Sequence, residues 1–174
     1  GRWWEDNPQR ALANNSVTYT ERPDIGIFMQ EWLSLYQSKS GERGIFSRLA
    51  AKKKVTSLGE ERRNPNYDFG TNPCSVIILR DREYCNLTEV VVRANDTRES
   101  LEEKVRLATI LGTFQSTLTD FRYVSSEWQR NCDEERLLGV SLTGIMDNAL
   151  LNGTKNKDKL PELLTALRET ACLL

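Results

Sequence analysis

Two thiols and an amide stand out in a chain that contains no histidine. Asn72-Pro73-Cys74-Ser75 leads into the apolar run Val76-Ile77-Ile78-Leu79, and Cys85 follows Cys74 by eleven residues. An Asn-Pro pair favours a turn. Cys74 is therefore expected on a loop tip just before a strand, and Cys85 just before the β-rich run at 88–93. Two thiols at strand ends of one sheet can face one pocket. They can equally be small core residues, the commonest fate of an unbridged cysteine. Spacing alone leans to the core and leaves both readings open.

The absence of histidine removes the usual general base, the usual zinc ligand and every Ser-His or Cys-His pair within the chain. Carboxylates, lysines and the four cysteines Cys74, Cys85, Cys132 and Cys172 remain. None of them forms a C-x-x-C, so a zinc site is not expected. With a net charge of −1 there is no basic field to hold DNA, RNA or an anionic membrane. No apolar run approaches the ~20 residues that span a bilayer. Cys172 lies third from the end, where a prenylation box needs it fourth. Asn14, Asn86, Asn95 and Asn152 each open an N-x-[S/T] triplet, which with four cysteines would suit a secreted glycoprotein. The triplet is short enough to arise by chance, and 174 residues can build a core without disulfides.

The elements that must position these residues follow from periodicity and punctuation. Residues 1–23 read as irregular, with Trp3-Trp4 as packing residues. Asp24 is expected to cap a helix carrying Ile25, Phe28, Met29, Trp32, Leu35 and Tyr36, stopped by Gly41. A second helix is expected over 45–54, ending in the solvated lysines Lys52, Lys53 and Lys54. Residues 55–73 carry loop signals. Strands are expected at 76–79, 88–93 and 137–145. Asp96 and Glu99 form a capping pair before a long helix with the stripe Leu101, Val105, Ala108, Leu111, Phe114 and Leu118. Further helices are expected at 124–134, 146–152 and 159–171, the last capped by Asp158 with Pro161 in its first turn. This order is α/β, with too few strands to close a barrel.

The stretch from Gly70 to Leu79, continued by Tyr84-Cys85-Asn86-Leu87-Thr88-Glu89-Val90-Val91-Val92-Arg93, resembles the finger-loop region of adenosylcobalamin-dependent (class II) ribonucleotide reductase catalytic subunits. The loop in that family reads Asn-Pro-Cys-x-Glu. Gly41-Glu42-Arg43-Gly44-Ile45-Phe46-Ser47-Arg48 resembles the family segment before the loop. Arg106-Leu107-Ala108-Thr109-Ile110-Leu111-Gly112-Thr113 and Leu138-Gly139-Val140-Ser141-Leu142-Thr143-Gly144 resemble those after it. The Asn-Pro-Cys form and the short interval between cysteines favour the cobalamin-dependent type over an oxygen-dependent class I fragment.

The resemblance implies an internal fragment, one partial domain over residues 1–174 with the finger loop at about 70–88. The fold it implies is α/β, an incomplete segment of the family's ten-stranded α/β barrel. It implies a parent that converts ribonucleoside triphosphates to deoxyribonucleotides for DNA synthesis, with adenosylcobalamin as radical source. Cys74 takes the place of the cysteine that becomes the thiyl radical. Cys85 takes that of one of two cysteines that give up reducing equivalents and are restored by a thioredoxin-like dithiol. Asn72 takes that of the amide that hydrogen-bonds a substrate hydroxyl. The parent implied is a monomeric cytoplasmic enzyme without nucleic-acid or membrane partners.

Two departures qualify this expectation. The partner of Cys85 lies upstream of the fragment in the family, while Cys132 and Cys172 fit no family cysteine and read as packing residues. The glutamate expected two residues after Cys74, the family's general base, is Val76. The isolated chain is thus expected to be inactive, and a catalytically dead remnant or interaction module is the rival description.

Overall fold

A computed structural model of the chain describes residues 2–9, 16–40, 44–57, 63–73, 75–155 and 157–172. It separates into two compact units, 1–83 and 84–174. The described residues form a mixed α/β arrangement with three two-stranded sheets, and no ten-stranded barrel is present among them.

In the first unit, the described residues before Asp24 are more regular than their composition suggests. They contain helix α1 (Trp3–Asp6) and strand β1 (Ser16–Tyr19). β1 runs parallel to β2 (Gly44–Ser47), with Ser16 opposite Gly44 and Tyr19 opposite Ser47. A four-residue alternation is too short to announce itself; the distant partner strand makes it a strand. Helix α2 (Ile25–Ser38) starts as expected, with the Asp24 carboxylate accepting from the N–H groups of Gly26 at 2.8 Å and Ile27 at 3.4 Å. It ends at Lys39, whose φ of 52° is left-handed. Gly41, the expected stop, lies outside the described residues.

The helix expected over 45–54 is divided. Ile45 and Phe46 belong to β2, and helix α3 spans Arg48–Ser57. Ser47 explains the break, because its Oγ accepts from Ala50 N–H at 3.2 Å and satisfies an open amide of the first turn. Lys53 and Lys54 are exposed, as a solvated face requires. Beyond α3, β3 (Gly70–Thr71) and β4 (Ile78–Leu79) pair antiparallel, Gly70 with Leu79 and Thr71 with Ile78. The strand expected at 76–79 is thus only its second half. The apolar core of this unit is small: Ala51, Val55 and Phe69, with Phe46 and Ile78 against them.

The second unit is built on β5 (Asn86–Val91) and β6 (Leu138–Thr143), parallel, with Asn86 opposite Leu138 and Val91 opposite Thr143. Between them come α4 (Arg98–Ser116) and α5 (Ser126–Glu135), and α6 (Leu160–Cys172) follows. Val90, Val92, Leu101, Val105, Leu151, Leu163 and Leu167 form the core. The cap of α4 is Thr97, one residue beyond the expected Asp96. Thr97 Oγ1 accepts from Ser100 N–H at 3.3 Å and Ser100 Oγ from Thr97 N–H at 3.0 Å. The stripe holds at Leu101, Val105 and Ala108 and then fails, since Leu111, Phe114 and Leu118 are exposed. At 3.6 residues per turn, Leu111 and Phe114 stand about 120° and 180° round the helix from Val105, which lies at the middle of the buried face. Thr109, Gly112 and Ser116 occupy the inward face instead.

β6 stops at Thr143 because Gly144 turns left-handed, at φ 76°; a Cβ there would lie 2.5 Å from the Val92 carbonyl oxygen. The helix expected at 146–152 is only a 3-10 turn, Ile145–Asp147. Asn148 ends it. Its side chain donates to the Arg93 and Asp96 carbonyls at 2.9 and 3.0 Å and accepts from Leu150 N–H at 2.9 Å, competing with helical bonding. Asp158 lies in a second 3-10 turn, Lys157–Lys159, rather than capping α6, whereas Pro161 does stand in the first turn of that helix. No described helix is long and apolar enough to cross a membrane.

Candidate functional site

Asn72 is built into its loop rather than displayed on it. It is 7% exposed, and its Oδ1 accepts from the N–H groups of Val76 and Ile77, both at 3.0 Å. Thr71 Oγ1 lies 3.4 Å from the same oxygen. The Asn72 carbonyl accepts from Ser75 N–H at 2.9 Å, closing a turn, and Ser75 has a left-handed φ of 59°. Two amide donors converging on one atom identify it as the oxygen. Its acceptor capacity is spent on the loop. The turn expected at 72–75 is present, while Cys74 itself lies outside the described residues.

Val76 stands two residues after Cys74. It is 69% exposed, with its N–H held by Asn72. A valine here offers neither a proton acceptor nor a buried anchor. The following residues are pinned by side chains more than by strand pairing. Arg63 NH1 donates to the Ile78 carbonyl at 2.9 Å and its guanidinium lies 5.1 Å from the centre of the Phe69 ring. Arg80 stacks over Tyr67 at 4.0 Å. Glu83 has a fully buried side chain; its Oε2 accepts from Arg80 N–H at 2.7 Å and lies 3.7 Å from Arg63 NH2. Glu83 is thus a structural carboxylate, consumed in holding the segment before Cys85.

Cys85 opens the second unit, directly before β5, partly buried and not in a disulfide. Cys132 is buried on α5, and its Sγ accepts from Tyr84 N–H at 3.3 Å. That contact and the rings around Tyr84 were not legible in the sequence beyond a Trp and a Cys four residues apart on one helix face. Cys172 is exposed, which corrects its reading as a packing residue: it lies in the last turn of α6, beyond the core-facing Leu163 and Leu167.

A charged cluster lies beside α4. The Asp96 carboxyl is held below the usual carboxylate range, first by the hydrogen bond from Lys104 at 2.6 Å and next by Arg93 N–H at 2.7 Å. Burial opposes this and Ser100 Oγ, at 2.9 Å, assists it. A shallow concavity of about 440 Å³ runs along α5, lined by Ser126, Gln129, Arg130, Asp133 and Glu134. It includes none of Asn72, Val76 or Cys85. No group of three potential metal-ligating side chains occurs among the described residues.

Compared with known proteins, the chain is similar to an adenosylcobalamin-dependent ribonucleoside-triphosphate reductase of Lacticaseibacillus paracasei, at 31% identity over 144 residues. The match takes in 79% of this chain and 18% of that protein, so the chain spans less than a fifth of the relative's length. No family model matches the chain, and no solved structure matches it.

Proposed function

We propose that this chain is a piece of the catalytic subunit of a ribonucleotide reductase, with Asn72, Cys74 and Cys85 in its finger-loop positions. The observation that carries the reading is the coincidence of two independent features. A reductase matches 79% of the chain, and the loop at 72–77 is organised by the Asn72 carboxamide through Val76 and Ile77. Such an arrangement suits a thiol that must be presented on a rigid tip. We read the two compact units as parts of one partial catalytic domain.

In this reading a thiyl at Cys74 takes the 3′ hydrogen of a ribonucleoside triphosphate and returns it after the 2′ hydroxyl has left. Cys85 supplies one of the two thiols that close to a disulfide, which a thioredoxin-like dithiol reopens by exchange. Asn72 hydrogen-bonds a substrate hydroxyl. Adenosylcobalamin, which the matched relative requires by name, would supply the radical when bound. The concavity along α5 does not fit that group: it is a shallow, open strip on a single helix, lined by Ser126, Gln129, Arg130, Asp133 and Glu134. The cofactor's seat in this reading belongs to other parts of the parent, which is read as monomeric and cytoplasmic.

Val76 favours a second description of the chain itself, as a remnant or interaction module without turnover. Exposed valine cannot take the proton from the 3′ hydroxyl that a glutamate would take. A chimera separates the two. Residues 70–88 of this chain would replace the matching stretch of the Lacticaseibacillus enzyme, with and without Val76→Glu. The proposal expects activity with Val76→Glu, lower by about 10²-fold or more with Val76, and none with Cys74→Ser. Equal activity with Cys74→Ser and Cys74 would overturn it. The chain alone, given radiolabelled CTP or ATP, adenosylcobalamin and a dithiol, is expected to yield no deoxynucleotide above background.

A further inference from the structure

Cys85 is bracketed by two backbone hydrogen bonds to one stretch of chain. Before it, Tyr84 N–H donates to Sγ of Cys132 at 3.3 Å. After it, Asn86 N–H donates to the Leu137 carbonyl at 3.1 Å, and Asn86 Nδ2 donates to the same oxygen at 3.1 Å. The Tyr84 ring is held as well. It stacks on Trp128 with centroids 4.5 Å and planes 27° apart, and it meets Phe121 edge-on at 5.1 Å and 72°. Sheet pairing does not require any of the contacts at Tyr84, because the first registered pair of β5 and β6 is Asn86 with Leu138. A strand that needed only its place in the sheet would be specified without them.

The chemistry of a reducing thiol does require such a device. Disulfide closure tolerates only a narrow range of Cα separations and sulfur dihedrals. The backbone that carries the thiol must therefore be fixed from outside the sheet. Sulfur is a weak acceptor, so Cys132 adds direction more than strength, while the two rings supply most of the contact energy. We infer that Trp128 and Cys132, on one face of α5, together with Phe121, are positioning residues for Cys85. This rests on the reading of Cys85 as a reducing thiol. It gives Cys132, more than forty residues away in sequence, a defined part in that chemistry.

The test is site-resolved alkylation of the full chain with N-ethylmaleimide, followed by mass spectrometry. The exposed Cys172 is the internal reference. Trp128→Ala and Cys132→Ala are expected to change the ratio of the Cys85 rate to the Cys172 rate by about threefold or more. The pH profile of Cys85 alkylation should shift with it. Trp128→Phe keeps a stacking ring and Cys132→Ser keeps an acceptor, so both should restore the wild-type ratio and profile. A merely structural role would lower the melting temperature without moving either readout. Unchanged ratio and profile in both alanine variants, with circular dichroism showing a folded chain, would overturn the inference. If the alanine variants unfold, Phe121→Leu decides: it removes only the edge contact, and an unshifted Cys85 ratio there also overturns it. No nucleotide or cofactor enters this assay, so failure of the reductase reading shows in the chimera and failure of the positioning role shows here.

Discussion

The two units hold themselves together by different means. The second has a continuous apolar core under a parallel strand pair, with Leu101 wholly buried and valines and leucines from β5, α4 and α6 around it. Among its described residues the first has three buried apolar side chains, and much of its backbone at 76–80 is held by polar ones: Arg63, Glu83 and Asn72 bond to it directly. Apolar burial is non-directional and gives a stable platform. Hydrogen bonds from buried side chains define the path of a loop atom by atom, at the risk of a large penalty when one is lost. The residue types that could do chemistry at 72–76 lie on the second kind of support.

Leu101→Ala should give the largest effect if this contrast is right. Cavity formation at a fully buried leucine is expected to cost about 4 kcal/mol, read by urea denaturation. Amide exchange in β5, β6 and α4 should accelerate together. A loss of under about 1 kcal/mol would mean that the core is not where the second unit stores its stability.

Glu83→Ala should come next, at about 3 kcal/mol, because it withdraws the carboxylate from Arg63 and from Arg80 N–H. The informative comparison is the double replacement Arg63→Met with Glu83→Leu. An apolar pair of similar volume should cost less than Glu83→Ala alone. If the double variant is the worse of the two, the pair is more than a structural compensation for a small core. Asn72→Ala removes an acceptor from two backbone amides and is expected to cost about 2 kcal/mol. Asn72→Asp keeps both bonds and should stay near wild type in stability. Under the proposed function it nevertheless loses the Nδ2 donor, so its activity in the chimera should fall although its fold does not.

How far the sequence showed all this varies with the physical origin of each feature. Elements with their own periodicity or cap were legible: α2 with Asp24, the first turns of α4, α5, and the strands at 86–91 and 138–143 within a residue or two. Elements defined by a distant partner were not. Ser16–Tyr19 is a strand only because Gly44–Ser47 lies beside it, and the same pairing took Ile45 and Phe46 out of the expected helix. The outward turn of Leu111 and Phe114 was hidden because apolar residues on two helix faces look like one stripe when counted by eye. At the candidate site, Asn72 was legible as a turn former, and its spent oxygen was not. Nothing in residue type announces that Glu83 is buried or that Cys132 receives the Tyr84 amide, since both depend on chain that arrives from elsewhere.

The smallest predicted effect sharpens the contrast from the other side, because the second unit also has a polar knot, at the rim of its core. Asp96 receives Lys104, Arg93 N–H and Ser100 Oγ just before α4, and Lys104 also donates to the Val91 carbonyl at 3.1 Å. Its folded pKa is lowered, chiefly by Lys104. A carboxyl with a depressed folded pKa contributes stability that is fully present above its unfolded value of about 3.9. That contribution is lost as pH falls through the folded value. Asp96→Asn should therefore be less stable than wild type at neutral pH, by about 1 kcal/mol. The two denaturation curves should converge as pH drops below about 4. Convergence on raising the pH instead would reverse the sign and remove Asp96 as a charged anchor. A gap that persists unchanged into acid would assign the effect to shape rather than charge. A gap as large as that of Leu101→Ala would mean that the second unit, like the first, depends on polar side chains to hold its backbone.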